Sequence, residues 1–170
     1  DSAGRSRWAE AYHLDFGAGL SSPLVADVDG DGLSEIVVAG RQGHLVALDA
    51  SGDVRPGFPV ALGREVFAAP IAADLDGRPG LEIIVATYSG RITICDARGS
   101  LRDPRLDRAK ELSVVGPLVS EPLVVDADRD GLLDLVVAGA EGPVVLGSFA
   151  AALGPVWAEF RGSPAATGAR

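Results

Sequence analysis

Methionine is absent from this sequence and cysteine occurs once, at Cys95. A single cysteine excludes an intrachain disulfide, and the apolar neighbours Ile92 and Ile94 mark Cys95 as a small buried core residue. No apolar run approaches the roughly 18 residues needed to cross a bilayer, and no signal-peptide pattern is present, so membrane insertion is not expected. With no Met even at position 1, the chain reads as a processed product or a piece of something longer. Basic residues are scarce, 15 Lys and Arg against 24 Asp and Glu for a net charge of −9. No basic patch is available to displace counterions from a phosphate backbone, and a nucleic-acid partner is not expected.

Catalytic signatures are missing as well. There is no G-x-S-x-G, H-E-x-x-H, P-loop or C-x-x-C, and the two histidines, His13 and His44, lie beside no Ser or Cys in a nucleophile pattern. Acidic pairs are plentiful, but they recur regularly, which suits ligand duty better than acid/base work requiring one unique pair with separated pKa values. The chain is read as non-enzymatic, with an enzyme left open for a longer parent.

What is present is turn-rich and repetitive. The 170 residues include 22 glycines and 11 prolines with 47% hydrophobic residues, the composition of a folded all-β protein. A Pro-x-x-x-Asp frame occurs at Pro23–Asp27, Pro70–Asp74 and Pro122–Asp126, at offsets of 47 and 52 residues. Other markers keep the register: Glu35, Glu82 and Asp134 fall eight residues after the first Asp, and Gly43, Gly90 and Gly142 eight further on.

Within the first copy, Pro23–Ala26, Ile36–Ala39, His44–Asp49 and the proline-bearing Pro56–Leu62 read as four strands in an antiparallel meander. Copy two repeats this through Ile83–Ala86, Arg91–Cys95 and an outer stretch Pro104–Leu112, and copy three through Leu135–Ala138, Pro143–Leu146 and Pro155–Phe160. Four strands per unit of 40 to 50 residues is the pattern of β-propeller blades. The blades are placed at about 20–64, 67–114 and 117–161 of one segment, 1–161. Trp8-Ala9-Glu10 echoes Trp157-Ala158-Glu159, which makes 7–16 the outer strand of a neighbouring blade, and 162–170 has the composition of a flexible tail.

Each copy carries an acidic loop, and together the loops hold eleven of the 24 acidic residues. Loop one is Asp27-Val-Asp29-Gly-Asp31-Gly-Leu33-Ser-Glu35, with carboxylates at positions 1, 3, 5 and 9 and glycines able to take the left-handed backbone. Calcium prefers six to eight oxygen ligands, and alternate carboxylates of a tight turn can converge on one, with the Leu33 carbonyl as a further ligand. An EF-hand is excluded, because its closing Glu belongs at position 12, where this loop has Val38 within a β-branched run. Loop three keeps every position with Asp126, Asp128, Asp130, Leu132 and Asp134. Loop two, with Asp74, Asp76, Gly80 and Glu82, has Arg78 at position 5, where its guanidinium either takes the place of the cation or swings outward. Two calcium sites are therefore expected, and a third, weaker one.

The sequence resembles the FG-GAP/VCBS repeats, the calcium-loop blades of integrin α-subunits and of bacterial secreted proteins. The likeness rests on Phe16-Gly17 before Ser22-Pro23, on Phe67-Ala-Ala-Pro70, on Asp27-x-Asp29-Gly-Asp31-Gly with Glu35-Ile-Val-Val, and on Gly43. It implies a propeller in a secreted, cell-surface or periplasmic setting, serving as a scaffold or adhesion surface for protein or glycan ligands. A carbohydrate-binding or lyase-like module is the alternative. Tyr12, Tyr88, Trp8 and Trp157 are read first as packing residues and second as sugar-stacking platforms. Three blades are too few for a ring, so other blades or a second copy of the chain would have to close it.

Overall fold

A computed structural model describes residues 21–101, 112–139 and 141–149. Over these the protein is all-β, with three antiparallel sheets and no helix. The first sheet contains β1 (Leu24–Ala26), β2 (Glu35–Gly40), β3 (His44–Leu48) and β4 (Val60–Ala61), in that order. The second contains β5 (Ile71–Ala73), β6 (Glu82–Ala86), β7 (Arg91–Cys95) and β8 (Leu112–Ser113), again in chain order. In the third, β9 (Leu123–Val125) pairs with β10 (Leu133–Gly139) and β10 with β11 (Gly142–Phe149). The segment from 155 to 160, read as a fourth strand of this unit, lies outside the described residues, as do 7–16 and the tail.

The short fourth strand of the first sheet has a physical reason. Pro56 and Pro59 have no amide proton to contribute to a ladder, so only Val60 and Ala61 pair, opposite Leu45 and His44. Inward side chains still alternate through Phe58, Val60 and Leu62, all buried.

The sheets pack face to face, and strand alternation decides which residue goes to which interface. On the middle sheet, Ala72, Ile83, Val85 and Cys95 join Val37, Ala39, Leu45 and Ala47 in a core against the first sheet. Their neighbours Ile71, Ile84, Ala86, Ile92 and Ile94 join Val124, Leu135 and Val137 in a second core against the third. The middle strands are therefore buried on both faces, whereas Val25 on β1 and Leu123 and Val125 on β9 are exposed.

Cys95 lies in the first interface with no exposed surface. Burial first, and then the nearby carboxylates of Asp96 and Glu82, push its thiol up to about 12. Because the thiolate is the reactive form, iodoacetamide at pH 8 should leave Cys95 unmodified in the native chain and label it fully in guanidinium. Native-state labelling detected by mass spectrometry would show that this sheet interface opens.

Candidate metal centre

All three acidic loops link the first strand of a sheet to the second, which puts them at the same end of the stack. Each is wound around the carboxylate at position 1. Asp27 accepts the amides of Gly30 at 2.8 Å, Asp31 at 3.1 Å and Gly32 at 2.9 Å. Asp126 accepts those of Asp130 and Gly131, both at 3.1 Å, and Asp74 that of Gly77 at 2.7 Å. These local side-chain-to-backbone bonds build the turn from Asp itself, and Gly30 and Gly32 accommodate it with φ of +80° and +90°.

Position 9 lies at the start of the next strand, as its first residue in Glu35 and Glu82 and its second in Asp134, and points back into the loop. One oxygen of Glu35 accepts the amide of Val28 at 2.9 Å, Glu82 that of Leu75 at 2.7 Å, and Asp134 that of Ala127 at 2.9 Å. All three carboxylates are buried, with exposures of 1%, 5% and 3%. The donor at position 2 is the anchor: Val28 and Leu75 insert into the first and second sheet interfaces, pinning the loop to the core. Sequence reading passed over this position, although its apolar character in each copy was the available signal.

The result is three groups of acidic residues, Asp27 with Asp29 and Glu35, Asp74 with Asp76 and Glu82, and Asp126 with Asp128 and Asp134. Within each group, one ligand oxygen per residue lies within 4.8 Å of the others. Asp31 and Asp130, expected as ligands at position 5, do not join them; each accepts the amide two residues on, Leu33 at 2.7 Å and Leu132 at 2.8 Å. The Leu33 and Leu132 side chains are exposed. Gly80 packs onto loop one, where a Cβ would stand 3.2 Å from the Val28 carbonyl, and the following amide of Leu81 donates to that carbonyl at 2.7 Å.

A guanidinium does sit among the carboxylates, but in loop one and not from Arg78. Arg55, in the turn after β3, donates from Nη1 to Glu35 at 2.9 Å and from Nη2 to Asp29. Its backbone amide is held by the Ala47 carbonyl at 2.9 Å. Arg78 is 68% exposed, with Nε 3.8 Å from Asp76, and takes the outward course. Arg55 was not singled out because it is 20 residues from Glu35 and outside the aligned markers. The 47-residue offset places Arg102 at the equivalent position of the second copy, outside the described residues.

Electrostatics separates the loops accordingly. Burial raises the Glu35 carboxyl, while the Val28 amide and Arg55 hold that rise in check. Burial opposes the Arg55 charge, but Asp29 and Glu35 outweigh it and keep the guanidinium above its usual range. Glu82 has no ion pair among the described residues, and burial, with Asp76 and Asp74 beside it, pushes its carboxyl up to about 7. Three carboxylates crowded into an oxygen-only, half-buried site fit a hard divalent cation in loops two and three. The loop-one trio meets the same distance condition, with Arg55 already bound to its Asp29 and Glu35.

A cleft of about 360 Å³ separates loops one and two and is lined by Asp29, Arg55, Asp76, Arg78, Glu82 and Arg98 among others. No helix among the described residues is long and apolar enough to cross a membrane.

No protein-family model matches the chain, and comparison with curated proteins finds no match. Among solved structures, the biofilm matrix protein Bap1 of V. cholerae aligns over 88% of this chain with a TM-score of 0.55 and 21% identity. The chain spans 27% of that protein's length, and the likeness is one of fold. BamB from Moraxella catarrhalis aligns over 72% of the chain and 41% of its own, with 15% identity and a TM-score of 0.29.

Proposed function

We propose that this chain is a calcium-stabilised segment of a β-propeller of the FG-GAP/VCBS type, acting as a non-enzymatic scaffold or adhesion surface outside the cytoplasm. The observation that carries this reading is the recurrence, in all three sheets and at the same end, of a carboxylate trio closed by a buried position-9 acid. A bare turn has no use for that acid, since Asp and Gly at the tip already suffice to form it. The meander sheets stacked face to face support the propeller, and the apolar residues exposed on the outer faces of the first and third sheets support further blades on either side. The fold shared with part of a biofilm matrix protein agrees with an extracellular setting.

A weak calcium centre would also suit that setting. Few protein carboxylates and a partly exposed trio make a weak centre, of the kind that fills at the 10⁻⁴ to 10⁻³ M calcium of extracellular modules. Loops two and three hold the ion through Asp74, Asp76 and Glu82 and through Asp126, Asp128 and Asp134, while Arg55 closes loop one. The ion contributes charge neutralisation and a cross-link between the start of one strand and the end of another, with no chemistry beyond that.

Calcium titration of the chelated chain, read by calorimetry, should reveal two ions per chain, with Asp128→Ala removing one and Asp76→Ala the other. Three ions would show that Arg55 yields to the metal, one would give Arg102 the role of Arg55 in loop two, and none would refute the calcium reading.

A further inference from the structure

The end of the stack opposite the acidic loops has a different character. There the β2–β3 turn of the first sheet, the connector from β4 to β5 and the β6–β7 turn of the second sheet border a shallow, open notch of about 610 Å³. Its charged members are Arg41, Arg64 and Glu65, a local excess of positive charge on a chain whose net charge is −9. Tyr88 forms one wall and is 46% exposed.

The notch is built and braced. Tyr88 packs against Phe67 with ring centroids 5.1 Å apart and planes tilted by 56°, and the Arg41 guanidinium lies 4.6 Å from the centre of the Phe67 ring. A stacked guanidinium is fixed in place, yet its in-plane N–H donors stay free to meet a carboxylate. The connector is pressed against the turn so closely that a Cβ on Gly43 would stand 2.6 Å from the Arg64 carbonyl oxygen, and φ there is +78°. The Glu65 carbonyl accepts the Tyr88 amide at 2.8 Å, tying the two sheets together across the notch floor. The connector that carries Arg64 is thus tied by its backbone to the β2–β3 turn and to Tyr88.

We infer that this notch binds an anionic saccharide, with a uronate carboxylate on Arg41 and Arg64 and the pyranose ring on the face of Tyr88. Two guanidinium groups with fork geometry suit a carboxylate, and a half-exposed aromatic face suits the C–H face of a sugar. Gln42 and Ser89 on the rim supply donors and acceptors for hydroxyl groups. An acidic peptide would meet the same two arginines, but it brings no ring to cover the exposed face of Tyr88, and strand addition, its other route, has no edge to use. Turns and a connector line the notch, and its one strand residue, His44, lies on β3, already flanked by β2 and β4.

This inference goes beyond the calcium reading and is tested apart from it. The full chain in calcium is titrated with trigalacturonate, its methyl ester and a tri-glutamate peptide, read by calorimetry. Trigalacturonate should bind, with Arg64→Ala and Arg41→Ala each weakening it by roughly tenfold or more, as expected for a lost charge-assisted hydrogen bond. Tyr88→Ala should weaken it too, and the methyl ester and the peptide should bind far less. Unfolding midpoints of the variants serve to separate lost binding from lost folding. Because calcium bridges uronates, Asp128→Ala is the control: it should lose an ion and keep saccharide affinity. Affinity indifferent to both arginines, equal binding of the peptide, or loss of binding in Asp128→Ala would each overturn the assignment.

Discussion

Replacing Arg55 with Met lowers the stability of the chelated chain by on the order of 3 kcal/mol, and saturating calcium restores most of the loss. The guanidinium bridges Asp29 and Glu35, and its side chain is only 17% exposed. Removing it leaves Glu35, 1% exposed, buried against a second carboxylate with no cation nearby. Deleting one partner of a buried pair costs about 3 to 5 kcal/mol; Asp29, a quarter exposed, places this case at the low end. Calcium rescues because the vacated space then resembles loops two and three, and the titration should gain one ion. Arg55→Lys should recover part of the loss, since one ammonium cannot match a two-pronged contact. Arg78→Met is the comparison: exposed and 3.8 Å from Asp76, that pair contributes no more than about 0.5 kcal/mol. Denaturant unfolding that ranks the two substitutions equally would remove Arg55 from this role.

Stability of the chelated chain should fall by on the order of 2 kcal/mol as pH rises from 5 to 8, with Glu82 as the cause. Burial and the neighbouring Asp76 and Asp74 raise its carboxyl from 4.5 to about 7 on folding. Between those values the folded chain holds a proton that the unfolded chain has released, so stability decreases with rising pH. The contribution is complete below about 4.5 and gone once pH has passed through 7. Bound calcium favours the ionised carboxylate, so the slope should flatten in saturating calcium. Glu82→Gln, which keeps the shape and cannot ionise, should flatten it in chelator as well. Urea midpoints across this range decide the matter, and a wild-type profile in chelator no steeper than that of Glu82→Gln would count against it.

The two predictions share one cause, the burial of position 9. Glu35 and Glu82 accept the position-2 amide in the same way and differ in what faces the rest of the carboxylate, a guanidinium in one case and more carboxylates in the other. A loop of this design crowds carboxylates around a buried acid, and in one copy the chain sets a guanidinium against them.

The strand pattern was legible because it is local. Ile36–Ala39, Arg91–Cys95 and Leu135–Ala138 are β-branched or apolar runs bounded by Gly turns, and all lie within observed strands. The outer strands were overestimated where prolines remove donors, so that Pro56–Leu62 contributes only Val60 and Ala61 to the ladder. The acidic loops were legible for a similar reason: Asp at position 1 caps its own turn, and spacing alone brings positions 3 and 9 beside it.

At position 5 a carboxylate can serve the loop or the centre. Asp31 and Asp130 cap the amides of Leu33 and Leu132, a choice made by backbone geometry and not by residue type. Which of its two expected courses Arg78 takes was likewise open in the sequence, since proximity along the chain says nothing about where a long side chain points.

What the sequence determined by itself is therefore the repeat, the antiparallel meander and the three acidic turns, all products of contacts between residues near one another in the chain. Only the tertiary structure decided that Arg55 meets loop one while Arg78 stays on the outside of loop two, and where a ligand could sit. Arg55 reaches Glu35 because β3 returns alongside β2, and Arg41, Arg64 and Tyr88 meet because the second sheet packs on the first. Those meetings depend on the stacking of whole sheets, which no spacing within a single repeat encodes.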